Sequence, residues 1–138
     1  VETHCMKHLL AFVCCVMAVL PLYAERGEKR TRNGAHISFE QTEMNLGEIS
    51  RKGENKRCVF RFVNDGVEPL VILSATTTCS CLKAEFSRKP IAVGEAGEIV
   101  LSLESKKVEN GVFHRIVQIR STSTSGTEIL TIKGVAKD

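Results

Sequence analysis

The sequence predicts an all-β fold, an antiparallel β-sandwich preceded by a signal peptide, and three observations carry that prediction. From Ile37 onward, short runs alternate apolar and polar residues with period two, and Gly, Pro, Asn and Asp separate them. No stretch between residues 35 and 138 sustains apolar residues at helical spacing. The first 24 residues have a different character, that of a targeting segment.

That segment opens with the positive stretch Met6-Lys7-His8, followed by an uncharged apolar run from Leu9 to Leu20. Pro21-Leu22-Tyr23-Ala24 closes it, and the charged Glu25-Arg26-Gly27-Glu28-Lys29-Arg30 comes next. These are the three regions of a secretory signal, with cleavage expected after Ala24. The apolar run falls short of the ~20 residues that span a bilayer, so no transmembrane span is expected after cleavage. Cys14 and Cys15 lie inside the apolar run and are not expected to carry lipid. The expected organisation is a signal peptide over residues 1–24, a flexible polar linker over 25–35 and one sandwich domain over 36–138.

Along the domain, Ile37–Phe39 and Met44–Ile49 read as a broken first strand. Lys56–Asn64 is a clear strand, with Cys58, Phe60 and Phe62 on one face and Arg57, Arg61 and Asn64 assigned to the other. Asn64-Asp65-Gly66 reads as a turn. Leu70–Ala75 and Leu82–Phe86 follow as strands, then a loop at Pro90 and Gly94-Glu95-Ala96-Gly97. Ile99, Leu101 and Leu103 alternate in another strand, and Asn110-Gly111 is a tight-turn signal. Phe113–Arg120 turns Val117 and Ile119 inward and His114 outward, and Ser121–Thr127 is a loop tip. Leu130 and Ile132 lie on the last strand, with Gly134 as a bulge candidate. Phe60, Phe62, Leu101, Leu103, Val117, Ile119 and Ile132 should share one core. Six to eight short strands with regular turns describe a sandwich, which a chain of ~100 residues can support without disulfides.

Composition excludes some functions. The net charge is +3, and loss of Lys7 and Glu2 with the first 24 residues leaves it there. Nucleic-acid binders concentrate far more positive charge on one face, so no nucleic-acid partner is expected. Tryptophan is absent and Tyr23 is the sole tyrosine, which argues against aromatic platforms for carbohydrate. Arg51, Lys52, Lys56, Arg57 and Arg61 gather in what reads as the first hairpin, and a solvated sheet face accounts for them. His36 and His114 are the histidines beyond residue 24, and no nucleophile elbow, zinc-protease helix or phosphate loop accompanies them. The chain is therefore read as no enzyme and without catalytic residues. Its expected partner is another envelope or surface protein, in the periplasm or at the cell surface.

Three cysteines remain beyond residue 24: Cys58, Cys79 and Cys81. Exposed thiols pair in the oxidising compartment an exported chain meets, and an odd count leaves one over. Cys58 lies on a core face and reads as a small buried hydrophobe. Cys79 and Cys81 can bridge only if the backbone between them bends, since an extended chain holds their α-carbons near the upper limit for a disulfide. Three readings of the pair stay open: structural (a bridge or quiet thiols), an exchangeable redox pair, or a soft site for Cu(I) or part of a Zn(II) site. A Cys58–Cys81 bridge is another connectivity. Lys83 is the only cation close in sequence, and no helix N-terminus is expected nearby, so the structural reading is preferred. No cofactor and no resident metal are expected, because tetrahedral zinc needs two ligands more than this pair supplies.

An ordered set of fragments adds a resemblance. Leu46-Gly47-Glu48-Ile49 after Phe39, Phe60–Gly66, Pro69-Leu70-Val71-Ile72, Cys79-Ser80-Cys81, Pro90–Gly94 with Gly97-Glu98-Ile99, Gly111-Val112-Phe113 and Leu130–Val135 occur in that sequence. Over Phe39 to Val135 the chain resembles the domain of unknown function 1573 family, common in secreted proteins of Bacteroidetes-type bacteria. The resemblance implies an immunoglobulin-like sandwich related to the ASH, major sperm protein and pilus-chaperone group, with no established activity, cofactor or partner. The family pattern has Cys-Gly-Cys-Thr where this chain has Cys79-Ser80-Cys81-Leu82, and Pro-Gly where it has Val93-Gly94.

Overall fold

Strand alternation decides which faces meet. In the computed structural model, which describes residues 33–138, Cys58, Phe60 and Phe62 all point inward and are at most 1% exposed, while Arg57 and Arg61 face solvent. Eight strands follow in order: β1 (Ile37–Phe39), β2 (Glu43–Ser50), β3 (Lys56–Asn64), β4 (Ile72–Thr76), β5 (Leu82–Phe86), β6 (Ala96–Leu103), β7 (Gly111–Ser121) and β8 (Thr127–Lys137). A 3-10 turn at Ser105–Lys107 sits between β6 and β7. The reading of residues 1–24 as a signal peptide, and most of the linker reading, lie outside the described residues. Within residues 33–35, Ala35 is buried, and Gly34 and Ala35 accept backbone hydrogen bonds from Val67 and Thr124.

The strands form two four-stranded sheets, in the orders β1-β3-β6-β5 and β2-β8-β7-β4. Their inner faces share one apolar core in which Phe60, Phe62, Leu101, Leu103, Val117, Ile119 and Ile132 are each at most 1% exposed. The sandwich and its core are those the alternation called for. In β3 and β6, Cys58 stands opposite Leu101 and Phe60 opposite Ile99, so the bulky inward residues of neighbouring strands lie side by side. Phe39 meets Phe62 edge to face at 5.5 Å between ring centres. Among the described residues no helix is long and apolar enough to cross a membrane.

Several connections differ from the sequence reading. Ile37–Phe39 and Met44–Ile49 are not one broken strand: β1 pairs with β3, and β2 crosses to the other sheet to pair with β8. The β2–β8 ladder is parallel, whereas the other ladders are antiparallel. The basic residues around Arg51–Arg61 consequently do not form a hairpin, because β2 and β3 belong to different sheets. Asn110-Gly111 also closes no hairpin; it ends the passage from β6 in one sheet to β7 in the other. Buried Ser105 secures that passage, its hydroxyl donating to the Glu54 carbonyl at 2.8 Å.

Two residue assignments change as well. The β7–β8 register runs through Gly134 without a break, and the bulge lies opposite it in β2, at Leu46-Gly47, where the backbone of Gly47 has φ +64°. Asn64 belongs to the core face, as its parity with Cys58, Phe60 and Phe62 requires, and is fully buried. Its burial is tolerated because its amide is satisfied on both sides. Oδ1 accepts from the backbone of His36 and Gly66, and Nδ2 donates to the carbonyls of Glu68 at 2.8 Å and Ile91 at 3.0 Å.

Candidate functional site

The chain leaves β4 at Thr76 and crosses to the other sheet to begin β5 at Leu82. This crossing holds Cys79 and Cys81. The Thr77 hydroxyl accepts from the Cys79 N–H at 3.2 Å, and the Cys79 carbonyl accepts from the Leu82 N–H at 3.2 Å, which closes a tight turn. The turn supplies the bend a short bridge needs: the two α-carbons stand 5.1 Å apart, and the sulfurs are joined in a disulfide. No described non-glycine residue has positive φ, so Ser80 occupies the middle of the bridge without left-handed strain.

The two sulfurs have different surroundings. Cys81 is fully buried in the core, and its carbonyl accepts from the Glu104 N–H at 2.8 Å. Cys79 is partly buried at the edge of the core and lines a surface depression of about 310 Å³ together with Thr77, Thr78, His114, Arg115 and Ile116. The Cys81 N–H donates to the sulfur of Cys79 at 3.2 Å. Cys58 is a free, buried thiol on β3, and burial pushes its pKa up, as expected of a quiet core cysteine.

Charge around the pair also departs from what the linear sequence shows. Lys83, the nearest cation in sequence, is engaged elsewhere, its ammonium 3.2 Å from the Glu104 carboxylate. Lys107 reaches the same carboxylate at 2.9 Å, and the hydrogen bonds from Lys107 and Lys83 hold the Glu104 pKa below its ordinary value. The basic residues that line the depression with Cys79 are His114 and Arg115, more than 30 residues away in sequence. Antiparallel pairing of β4 with β7, with Thr76 opposite Gln118, brings them there. No local pattern announces that pairing.

The other residues singled out from the sequence are dispersed. His36 begins β1's approach and pairs with Asp65 across the β1–β3 end. His114 is on the outer face of β7. Arg51 donates to the Val108 carbonyl at 2.7 Å and pairs with Asp138 at 2.7 Å, while Lys52, Lys56, Arg57 and Arg61 are exposed. Among the described residues no three His, Cys, Asp or Glu side chains are grouped closely enough to hold a metal.

Comparison with solved structures identifies the fold. A protein of unknown function from Porphyromonas gingivalis W83 matches with a TM-score of 0.62 and 17% identity, over 76% of this chain and 48% of its own. This chain thus spans about half the length of that protein. The seventh PapD-like (ASH) domain of human CEP192 matches with a TM-score of 0.61 and 5% identity, over 76% of this chain and 87% of that one. The periplasmic chaperone SfaE matches with a TM-score of 0.51 and 7% identity, over 73% of this chain and 57% of that one. At such identities these likenesses establish a PapD-like, immunoglobulin-like architecture and nothing finer. No curated protein matches the sequence. The profile of the DUF1573 proteins, whose function is unknown, matches residues 37–136, and the chain belongs to that family.

Proposed function

We propose that the chain is an exported module that binds another envelope or surface protein, without a conventional active site. The observation that carries this reading is the outer face of the β2-β8-β7-β4 sheet. Outward positions on a solvated antiparallel sheet are ordinarily polar. Here Val112 on β7 is 87% exposed, Ile116 on β7 is 41% exposed and Ile129 on β8 is 42% exposed. The register sets Ile116 opposite Thr131 and Gln118 opposite Ile129, so the two isoleucines are diagonal neighbours on this face. Two of the cations on this face are matched on the chain itself, Lys133 by Glu43 and Lys137 by Glu48 at 2.6 Å, while Arg120 is exposed at its other end. Exposed apolar side chains interleaved with mostly paired charge suit a protein partner better than a polyanion. The export expected from residues 1–24 supports placing that partner in the periplasm or at the cell surface.

The test is affinity capture from an envelope extract of the source organism, comparing the unaltered protein with a Val112→Asp, Ile129→Asp double variant. Both positions are exposed, so the variant should unfold at nearly the same temperature. A stoichiometric partner retained by the unaltered protein and lost by the variant supports the reading. Equal retention by both removes this face from consideration.

A further inference from the structure

We infer that Cys79 and Cys81 form a thiol–disulfide exchange centre, with Cys79 the sulfur that bonds to a cysteine of another protein and Cys81 the resolving cysteine. The division of labour follows from their surroundings. Thiolate is the attacking species, and it is favoured by solvent contact, hydrogen-bond donors and nearby cations. Cys79 is only partly buried and lines the depression, its sulfur receives the Cys81 N–H at 3.2 Å, and Arg115, whose guanidinium donates to the His114 carbonyl at 3.1 Å, lines the same depression. Cys81 is fully buried, where the charged form is disfavoured. The Lys83 ammonium is directed to the Glu104 carboxylate, which it shares with Lys107. A ring closed between residues two apart restrains the unfolded chain only slightly, so a purely structural role accounts for little of the bridge.

In the reduced pair, the Cys79 thiolate attacks one sulfur of a disulfide on the other protein. That disulfide breaks, its far sulfur leaves as thiolate and takes a proton from water, and Cys79 becomes part of a mixed disulfide. Cys81 then loses its proton to water and attacks Cys79 Sγ, which expels the second partner sulfur as a thiolate that takes a proton from water. The chain ends with the Cys79–Cys81 disulfide, oxidised by two electrons, and the other protein is a dithiol. Run backwards, the same steps oxidise a dithiol, and the relative reduction potentials of the two proteins set the direction. Ile116 and His114 both border this depression and lie on the outer sheet face, so a protein held on that face has its surface beside Cys79. The exchange itself does not depend on that binding, and a small disulfide probe tests it separately.

The experiment incubates the reduced, folded protein with oxidised glutathione and maps adducts to individual cysteines by peptide mass spectrometry. The expected result is that Cys81→Ser accumulates glutathione on Cys79. Cys79→Ser should react at Cys81 at least about tenfold more slowly, and the unaltered protein should pass through a transient Cys79 adduct to the internal disulfide. Arg115→Gln, which leaves both cysteines in place, should slow the first step about threefold or more, as a neighbouring cation stabilises the thiolate. Equal reaction at both sulfurs overturns the proposal, as does a bridge that dithiothreitol reduces only in denaturant. If either serine variant fails to fold, acid-quenched time points on the unaltered protein decide alone. A Cys79 adduct preceding the internal disulfide supports the assignment, and its absence or a Cys81 adduct refutes it.

Discussion

The ring of Phe113 lies against Gly134, its partner across the β7–β8 ladder, and occupies the space a side chain there would need. A methyl group added to Gly134 would stand 2.8 Å from the Phe113 ring and 2.7 Å from the Gly47 carbonyl oxygen. The aromatic ring thus covers a glycine made necessary by the close approach of the β2 bulge.

Replacing this glycine should therefore be costly for a steric reason. Gly134→Ala should destabilise the domain by about 1–3 kcal/mol through overpacking. Gly47→Ala meets no atom within 4 Å, so its cost should be the left-handed backbone alone, about 1–2 kcal/mol. Urea unfolding of both, together with Gly134→Ala combined with Phe113→Leu, separates the causes. The smaller side chain at 113 should relieve part of the Gly134→Ala penalty and none of the Gly47→Ala penalty.

Phe62 lies on the inner face of the β1-β3-β6-β5 sheet, 1% exposed, against Phe39 and over Gly97, where a methyl group would come within 2.6 Å of its ring. Phe62→Ala should cost about 3–5 kcal/mol in chemical denaturation. A near-neutral result would mean that the strand is displaced by one residue.

Asn64 ties three segments together through hydrogen bonds that no other residue type makes. Truncation to Ala takes the side-chain donor from the Glu68 carbonyl and the side-chain acceptor from the His36 and Gly66 N–H groups, while the Ile91 carbonyl keeps its bond from the Leu70 N–H. The expected loss is about 2–4 kcal/mol, since each buried group left unpaired carries its own desolvation cost. Hydrogen exchange should show faster opening of the Gly66 amide, which bonds to Asn64 Oδ1, than of the Gly94 amide, which bonds to the Asn64 backbone carbonyl that the variant keeps.

Glu104 predicts the direction of one pH effect. Hydrogen bonds from Lys107 and then Lys83 lower its pKa from the ordinary 4.5, against a smaller opposing effect of burial. A carboxyl with a depressed folded pKa adds stability that is present above its unfolded value and lost as pH falls through the folded one. The stability gap between the unaltered protein and Glu104→Gln should therefore shrink from pH 7 to pH 3 in urea titrations. The pairs are solvent-accessible, so the gap at pH 7 should be small and should narrow further in high salt. A gap independent of pH would show that the charge of Glu104 does not contribute.

Strand parity was legible in the sequence because it is a property of one strand. Period-two alternation placed Phe60, Phe62, Leu101, Leu103, Val117, Ile119 and Ile132 in the core, and the same parity carried Asn64 inward, although a polar side chain beside a turn signal invites the opposite reading. Sequence fragments from Phe39 to Val135 also pointed to the family. What the tertiary structure alone decided was which strand lies beside which. It sent β1 and β2 to different sheets, made the β2–β8 ladder parallel, joined Cys79 to Cys81 rather than Cys58 to Cys81, and set Arg115 in the depression that Cys79 lines. Pairing between strands tens of residues apart depends on the burial both sheets gain together, and no local pattern records that gain. The basic surroundings of Cys79 are therefore a consequence of β4 lying against β7, and they exist only once the sandwich has closed.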